Sequence, residues 1–334
     1  MKTGDIGEFE FIKRLTGDCV INNAGIVRSI GDDAAVYDPE PGILQVLTTD
    51  LLAEDIHFTR KSISAVNLGY KSLAVNLSDI AAMGATPRHA FVSIAIPNDI
   101  SVEYMDEVYA GMKELARIHN TNILGGDTTS SRSGLIINIA ITGSAPSNNL
   151  LYRNGARKGD LVFVTGPLGD SRAGLHLVLN DLPYTDDNEE LYMAHVRPRP
   201  HVDEGLFLGG CDGVHAGIDI SDGLSSDLSH IADESNRGFI IYSDRIPVSD
   251  NLRRFCDNYG FDPVKYALEG GEDYVLAVTI DPEKAEAIID EYNKRFEYPL
   301  VHIGEITDST LRQLKEPEGE VSDLLPGGWD HFKS

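Results

Sequence analysis

The run from Lys71 to Pro97, KSLAVNLSDIAAMGATPRHAFVSIAIP, constrains this chain more than any other stretch. Its first half is apolar on nearly every helical face, which predicts a helix over 64–82 that is covered on all sides. Gly84-Ala85-Thr86-Pro87 then predicts a tight turn, and His89 to Ile96 a strand. One carboxylate, Asp79, sits among Leu73, Val75, Leu77, Ile80, Ala81, Ala82 and Met83. A buried carboxylate has to be hydrogen-bonded, paired with a cation or bound to a metal. A contact to Ser78 or to the backbone would satisfy Asp79, and so would a metal ion.

Other carboxylates repeat the theme. An apolar run ends and an acid with Gly or hydroxyl neighbours follows, at Gly31-Asp32-Asp33, Thr48-Thr49-Asp50, Gly125-Gly126-Asp127-Thr128-Thr129, Asp219-Ile220-Ser221-Asp222-Gly223 and Gly270-Gly271-Glu272-Asp273. Each alone makes an ordinary turn or cap. Together they predict strand ends lining one crevice, where like charges need cations. Carboxylates and threonine hydroxyls without a His-Cys set suit a hard ion, Mg²⁺ above all, with phosphates completing its shell.

The length of 334 residues predicts two domains, divided at the polar, Gly-rich segment Asn154 to Asp160, and an α+β or α/β architecture. The first, 1–150, holds a strand at Leu44–Leu47, the 64–82 helix, a Ser101-capped helix to His119, and strands from Asn122 and Leu135. The second, 151–334, alternates strands and helices from Leu161 to Ile306. With 28 basic against 53 acidic residues, the net charge of −25 argues against duplex nucleic acid or an anionic membrane as partner. The N-terminal stretch carries Asp5, Glu8 and Glu10 and no apolar signal core, and no apolar run is long enough to span a bilayer. Cys19, Cys211 and Cys256 are scattered, which fits free thiols in a reducing cytoplasm.

Familiar catalytic loops are missing. There is no GxxxxGK[ST], no GxGxxG after a strand, no HExxH, and the residues around Ser221 do not form GxSxG. His57 could be a satisfied imidazole or a ligand contact. Arg153 could be solvated or reach a phosphate. Trp329, the only tryptophan, could anchor the tail or cover a flat ring, and the spacing of Tyr109 suits a core position better than a base contact.

Taken together, GDDAAV, TTDLLAEDIHF, the 71–97 run, GGDTTSS, LYRNGARKGDLVFVTGPLGDSRAGL, HVRPRP, IDISDGLSSDL, GGEDYVL, HIGEI and GGWDHF resemble the thiamine-monophosphate kinase family, in its order and over most of the chain. The resemblance implies a two-domain aminoimidazole ribotide synthetase-like fold. Its N-terminal domain binds ATP and Mg²⁺ and its sheet pairs into a β-barrel across a homodimer; its C-terminal domain is α/β. It implies direct in-line transfer of the ATP γ-phosphoryl to thiamine monophosphate, with several Mg²⁺ ions. Asp33, Thr48, Thr49, Asp50, Asp79, Asp127, Asp219 and Asp222 match metal positions; Asp50, Asp79, Asp222 and Arg153 match the catalytic set. Tyr109, Gly126, Asp127, Arg153 and Ser221 match ATP contacts, and His57, Glu272 and Trp329 the thiamine-phosphate site. His201 departs from the family pattern, residues 181–190 look like a variable acidic insertion, and 17–29 match poorly. Two other readings are an amidine cyclase or selenophosphate-type enzyme, which lacks its reactive Cys here, and an acidic cation-binding protein without turnover.

Overall fold

The structure, a computed structural model, describes residues 14–15, 18–28, 36–37, 43–180, 182, 185 and 188–328. Two expected site residues, Asp33 and Trp329, lie outside the described residues. The chain divides into two compact units, Met1–Ile80 with Thr86–Ser147, and Ala81–Ala85 with Asn148–Ser334.

In the first unit β1 (Ile26–Arg28) and β2 (Val36–Tyr37) form a small antiparallel pair. Then come β3 (Ile43–Ala53), α1 (Ala65–Ala82), β4 (Thr86–Pro97), α2 (Val102–Ile118), β5 (Asn122–Ser131) and β6 (Ile136–Pro146). The sheet order is β3-β6-β4-β5, open at β3 and β5, with β4 and β5 parallel and the other pairs antiparallel. Alternation sorts its side chains: Ala90, Val92, Ile94 and Ile96 on β4, and Ile137, Ile139 and Ile141 on β6, are buried. Helix α1 covers this row, with Ile80 against Gly143. As the sequence predicts, Gly84 turns the chain into β4 with φ +65°, and the Ser101 hydroxyl caps α2 by accepting from the Tyr104 N–H at 3.1 Å. The opposite row of β3 is bare: Leu47 is 70% exposed and Leu51 49%.

One expectation fails. Strands do not stop at their acid-bearing segments: β3 runs through Thr48-Thr49-Asp50 and β5 through Gly125 to Ser131. The β3–β6 ladder is unbroken from Ile43↔Pro146 to Ala53↔Ile136. β-branched threonines suit a strand, and the continuous ladder outweighs the turn preference of Gly and Asp.

The second unit contains β7 (Leu161–Val164), α3 (Asp170–Leu179), α4 (Glu189–Val196), α5 (Val202–Gly209), β8 (Val214–Asp219), α6 (Leu224–Ser235), β9 (Gly238–Tyr242), α7 (Asp250–Tyr259), α8 (Pro263–Glu269), β10 (Leu276–Ile280), α9 (Pro282–Arg295), β11 (Val301–Thr307), β12 (Arg312–Lys315) and β13 (Val321–Asp323). Its sheet has the order β13-β12-β9-β11-β7-β10-β8, antiparallel except where β12 joins β9. Both faces are covered. Val162 and Val164 belong to a core with Leu228 and Ile231 of α6, while Phe163 between them packs with Leu208 of α5 and Ile288 and Tyr292 of α9. Helices α7 and α8, absent from the sequence expectation, start at the caps Ser249 and Asp262. Cys19, Cys211 and Cys256 are free thiols. Among the described residues no helix is long and apolar enough to cross a membrane.

Candidate active site

The period-2 strand β3 and the 3.6-period helix α1 bring four polar side chains together in the first unit. Thr48 donates its hydroxyl proton to Asp79 Oδ2 at 2.5 Å, and the Asp50 N–H donates to Asn76 Oδ1 at 3.0 Å. Asn76 and Asp79 are three apart on α1, and Thr48 and Asp50 two apart on β3, so each pair shares a face. Burial, and next the negative charge of Asp79, push the Asp50 carboxyl up to about 6. Asp79 is half-buried and not sealed as its apolar surround predicts. The physical reason is position: it faces the outermost strand of the sheet.

The other expected residues of this unit divide between faces. Asn138 Nδ2 donates to Thr49 Oγ1 at 2.9 Å and to the Asp50 carbonyl at 3.1 Å. Asp127 stands opposite Ser93, which stands opposite Asn138, so the register puts Asp127 and Thr49 in the row that alternates with Thr48 and Asp50. Gly126 is required by close approach, since a Cβ there would lie 1.7 Å from the Val92 carbonyl oxygen. Tyr109 is 6% exposed in the core beside α2's apolar residues, and burial raises its phenol pKa. His57 lies in the turn after β3, where its Nδ1 accepts from the Ala53 N–H at 3.0 Å, leaving Nε2 as the ring's other polar atom.

Among the described residues no group of three or more His, Cys, Asp or Glu side chains is gathered to hold a metal ion. That is compatible with Mg²⁺, which commonly takes one or two carboxylates and completes its shell with water and phosphate oxygens. The donor set of Thr48, Asp50 and Asp79 fits such an ion: all donors are hard oxygens, and a dication would offset the burial and the repulsion from Asp79 that raise Asp50.

In the second unit Asp219 closes β8 and is buried. The loop after it carries Ser221, Asp222 and Gly223, whose three N–H groups all donate to Asp227 Oδ2 at 3.0 Å. Burial pushes the Asp227 carboxyl up to about 7 against the pull of these donors. Asp227 sits in the first turn of α6 and was missed in the sequence, although an acid four residues after a Gly turn is a cap signal. Glu272 and Tyr274 hold positive φ angles of 64° and 54°, and their N–H groups donate to the carbonyls of Ser221 at 2.7 Å and Ile220 at 2.8 Å. Non-glycine residues in this region are strained, and such strain collects at functional loops. Between them, Asp273 accepts from the Gly169 and Ser171 N–H groups at 2.7 and 3.2 Å, and burial raises its pKa well above the ordinary range. Arg153 is exposed on a short 3₁₀ turn, Arg153–Gly155, whose first carbonyl accepts from Ser235 Oγ at 2.8 Å. The tail is laid against the start of α6: the Gly327 N–H donates to Ser225 Oγ at 3.1 Å.

Family profiles match both halves of the chain, AIR synthase related protein, N-terminal domain, over residues 31–145, and AIR synthase related protein, C-terminal domain, over 157–314. Thiamine-monophosphate kinase of Bacillus subtilis (strain 168) is 34% identical over 330 residues, covering 98% of this chain and 99% of that protein. The chain belongs to the thiamine-monophosphate kinase family. Solved structures agree in fold. Thiamine-monophosphate kinase from Stenotrophomonas maltophilia K279a is 33% identical with a TM-score of 0.84, over 96% of this chain and 99% of that one. AaThiL complexed with AMPPCP and TMP is 31% identical with a TM-score of 0.77, over 99% of both chains. The family that the sequence motifs resemble, and its two-domain AIR synthase-like α/β fold, are therefore those of this chain.

Proposed function

We propose that this protein transfers the γ-phosphoryl group of ATP to the phosphate of thiamine monophosphate, giving thiamine diphosphate and ADP. The observation that carries this is the near-full-length match to thiamine-monophosphate kinases. The acidic cluster on β3 and α1 supports it. The acceptor is a phosphate monoester with a second pKa of about 6, so it needs no strong base near neutral pH. The chemical difficulty is joining two anions through a loose transition state, in line, with the charge neutralised.

Each residue then has a task. Thr48, Asp50 and Asp79, with Thr49 and Asp127 on the alternate row, would hold Mg²⁺, and in the second unit Asp219 and Asp222 would do the same. When bound, the ion supplies positive charge to the phosphate oxygens and screens their repulsion. Arg153, on an exposed turn, adds a fixed positive charge for phosphate. Gly126 lets the strand backbone come close to its neighbour and to a nucleotide, and Ser221 offers a hydroxyl on a loop that Asp227 holds in shape. Glu272 and His57 orient thiamine monophosphate. Asp33 and Trp329 join the metal and thiamine roles through the resemblance alone. Free thiols and ATP as co-substrate fit the cytoplasm.

The sheet of the first unit is open in the single chain, and the bare row carrying Leu47 and Leu51 on its edge strand supports pairing with a second copy into a barrel. Light scattering on the purified chain is expected to give twice the monomer mass of 36.4 kDa. A monomer would refute the pairing.

The decisive assay offers ATP and Mg²⁺ with thiamine monophosphate, and with unphosphorylated thiamine as control acceptor. Diphosphate product from the monophosphate alone is expected. Turnover of thiamine at an equal rate, or of neither acceptor, would overturn the assignment. Asp50→Asn should lower kcat by about a hundredfold or more, because it removes a carboxylate that would hold Mg²⁺ against the reacting phosphates.

A further inference from the structure

Helices α3 and α4 meet at Gly174. A Cβ there would stand 2.1 Å from the Leu191 carbonyl oxygen and 2.7 Å from His195 Cβ, so the approach depends on a residue without one. Ser171 lies one turn before Gly174, and His195 one turn after Leu191, so the same contact brings their side chains together. Ser171 Oγ is 3.3 Å from His195 Nδ1, and Glu272 Oε2 is 3.2 Å from that same nitrogen. His195 is 6% exposed and Ser171 1%. An ionised carboxylate only accepts, so the proton in this contact belongs to Nδ1.

Glu272 is held at both ends. Its strained backbone is tied to Ser221 by the N–H bond of 2.7 Å, and the neighbouring Asp273 is tied to the start of α3. Those bonds fix where the side chain begins, and the imidazole fixes where its carboxylate ends. A long side chain otherwise loses several rotamers when it orders around a ligand.

We infer that His195 is a positioning residue: its Nδ1–H, buttressed by Ser171, holds the Glu272 carboxylate in the orientation in which it meets thiamine monophosphate. This rests on the assignment of Glu272 to the thiamine-phosphate site. His195 itself touches Glu272 and Ser171 and acts through them.

The test is a double-mutant cycle with both substrates varied. His195→Leu is expected to raise the KM for thiamine monophosphate about tenfold, the cost of one charge-assisted hydrogen bond, and to leave the KM for ATP within about twofold. His195→Asn, whose amide nitrogen lies near the position of Nδ1, is expected to restore most of the loss. Glu272→Ala, which removes the acceptor, should raise the same KM, and adding His195→Leu to it should cost little more. If both KM values rise in parallel and the two changes add, His195 is a packing residue and the inference fails. If Glu272→Ala raises the KM for thiamine monophosphate while His195→Leu leaves it unchanged, the positioning role fails and the Glu272 assignment stands. If Glu272→Ala leaves that KM unchanged, the assignment of Glu272 fails and takes the inference with it. Should His195→Leu not fold, His195→Gln carries the same comparison, because its amide reaches the position of Nε2 and misses that of Nδ1.

Discussion

Replacing Asp170 by Asn should make the protein's stability less sensitive to pH, by an amount the structure sets. Asp170 begins α3, and its Oδ1 accepts from Ser249 Oγ at 2.7 Å. Burial pushes its carboxyl from the ordinary 3.8 up to about 6; the Ser249 bond opposes this and the charge of Glu190 adds to it. Between those two values the folded chain keeps a proton that the unfolded chain has lost. The stability from this group is therefore fully present below about pH 3.8 and is lost as pH rises through about 6. A gap of about two units corresponds to ~3 kcal/mol in all, of which roughly 2 kcal/mol falls between about pH 4.5 and 7.5. An Asn side chain keeps an acceptor for Ser249 and has no proton to lose. Urea unfolding followed by far-ultraviolet circular dichroism, on both proteins across that pH range, measures the difference. The variant should gain on the wild type by roughly 2 kcal/mol from the acid end to the neutral end. A difference that stays constant with pH would refute the cause assigned to the shift.

Three further outcomes follow from the geometry. Thr48→Val keeps shape and removes the donor to Asp79, so the apoprotein should lose about 1.5–3 kcal/mol and Mg²⁺-dependent turnover should fall; an unchanged melting curve and rate would refute the bond's importance. Gly126→Ala puts a methyl where the Val92 carbonyl oxygen would be 1.7 Å away, so β5 must part from β4, and kcat should drop about a hundredfold from misplacement of Asp127, measured at saturating ATP. Ser101→Ala removes the cap of α2 and should cost about 1 kcal/mol of stability by chemical denaturation without altering KM for either substrate.

What the sequence makes legible is what local pattern controls. The apolar helix over 64–82, the turn at Gly84, strand β4 and the Ser101 cap all follow from periodicity and turn chemistry, and each is observed. Strand extent is not local. The segment Thr48-Thr49-Asp50 reads as a strand end by composition, yet β6 supplies a partner for every residue of it. Helix α7 escapes because its residues are mostly polar and only Leu252, Phe255 and Cys256 are buried, too few to stand out as a pattern. The candidate site is legible as a list of acids and glycines, but not as an arrangement. Which carboxylates share a face depends on register, and register separates Asp50 from Asp127. Of the residues that hold the site in shape, Asn76, Asn138 and His195 take their partners from elsewhere in the fold, while Asp227 takes its from the loop just before it.

The loop from Ser221 to Gly223 is held in shape by the chain's own groups. One carboxylate gathers three of its amides, and the 272–274 segment holds the Ile220 and Ser221 carbonyls. Association there has little chain entropy left to lose, so the encounter should need no slow ordering step. The cost of making that loop rigid is met during folding, and it is shared by every turnover that follows.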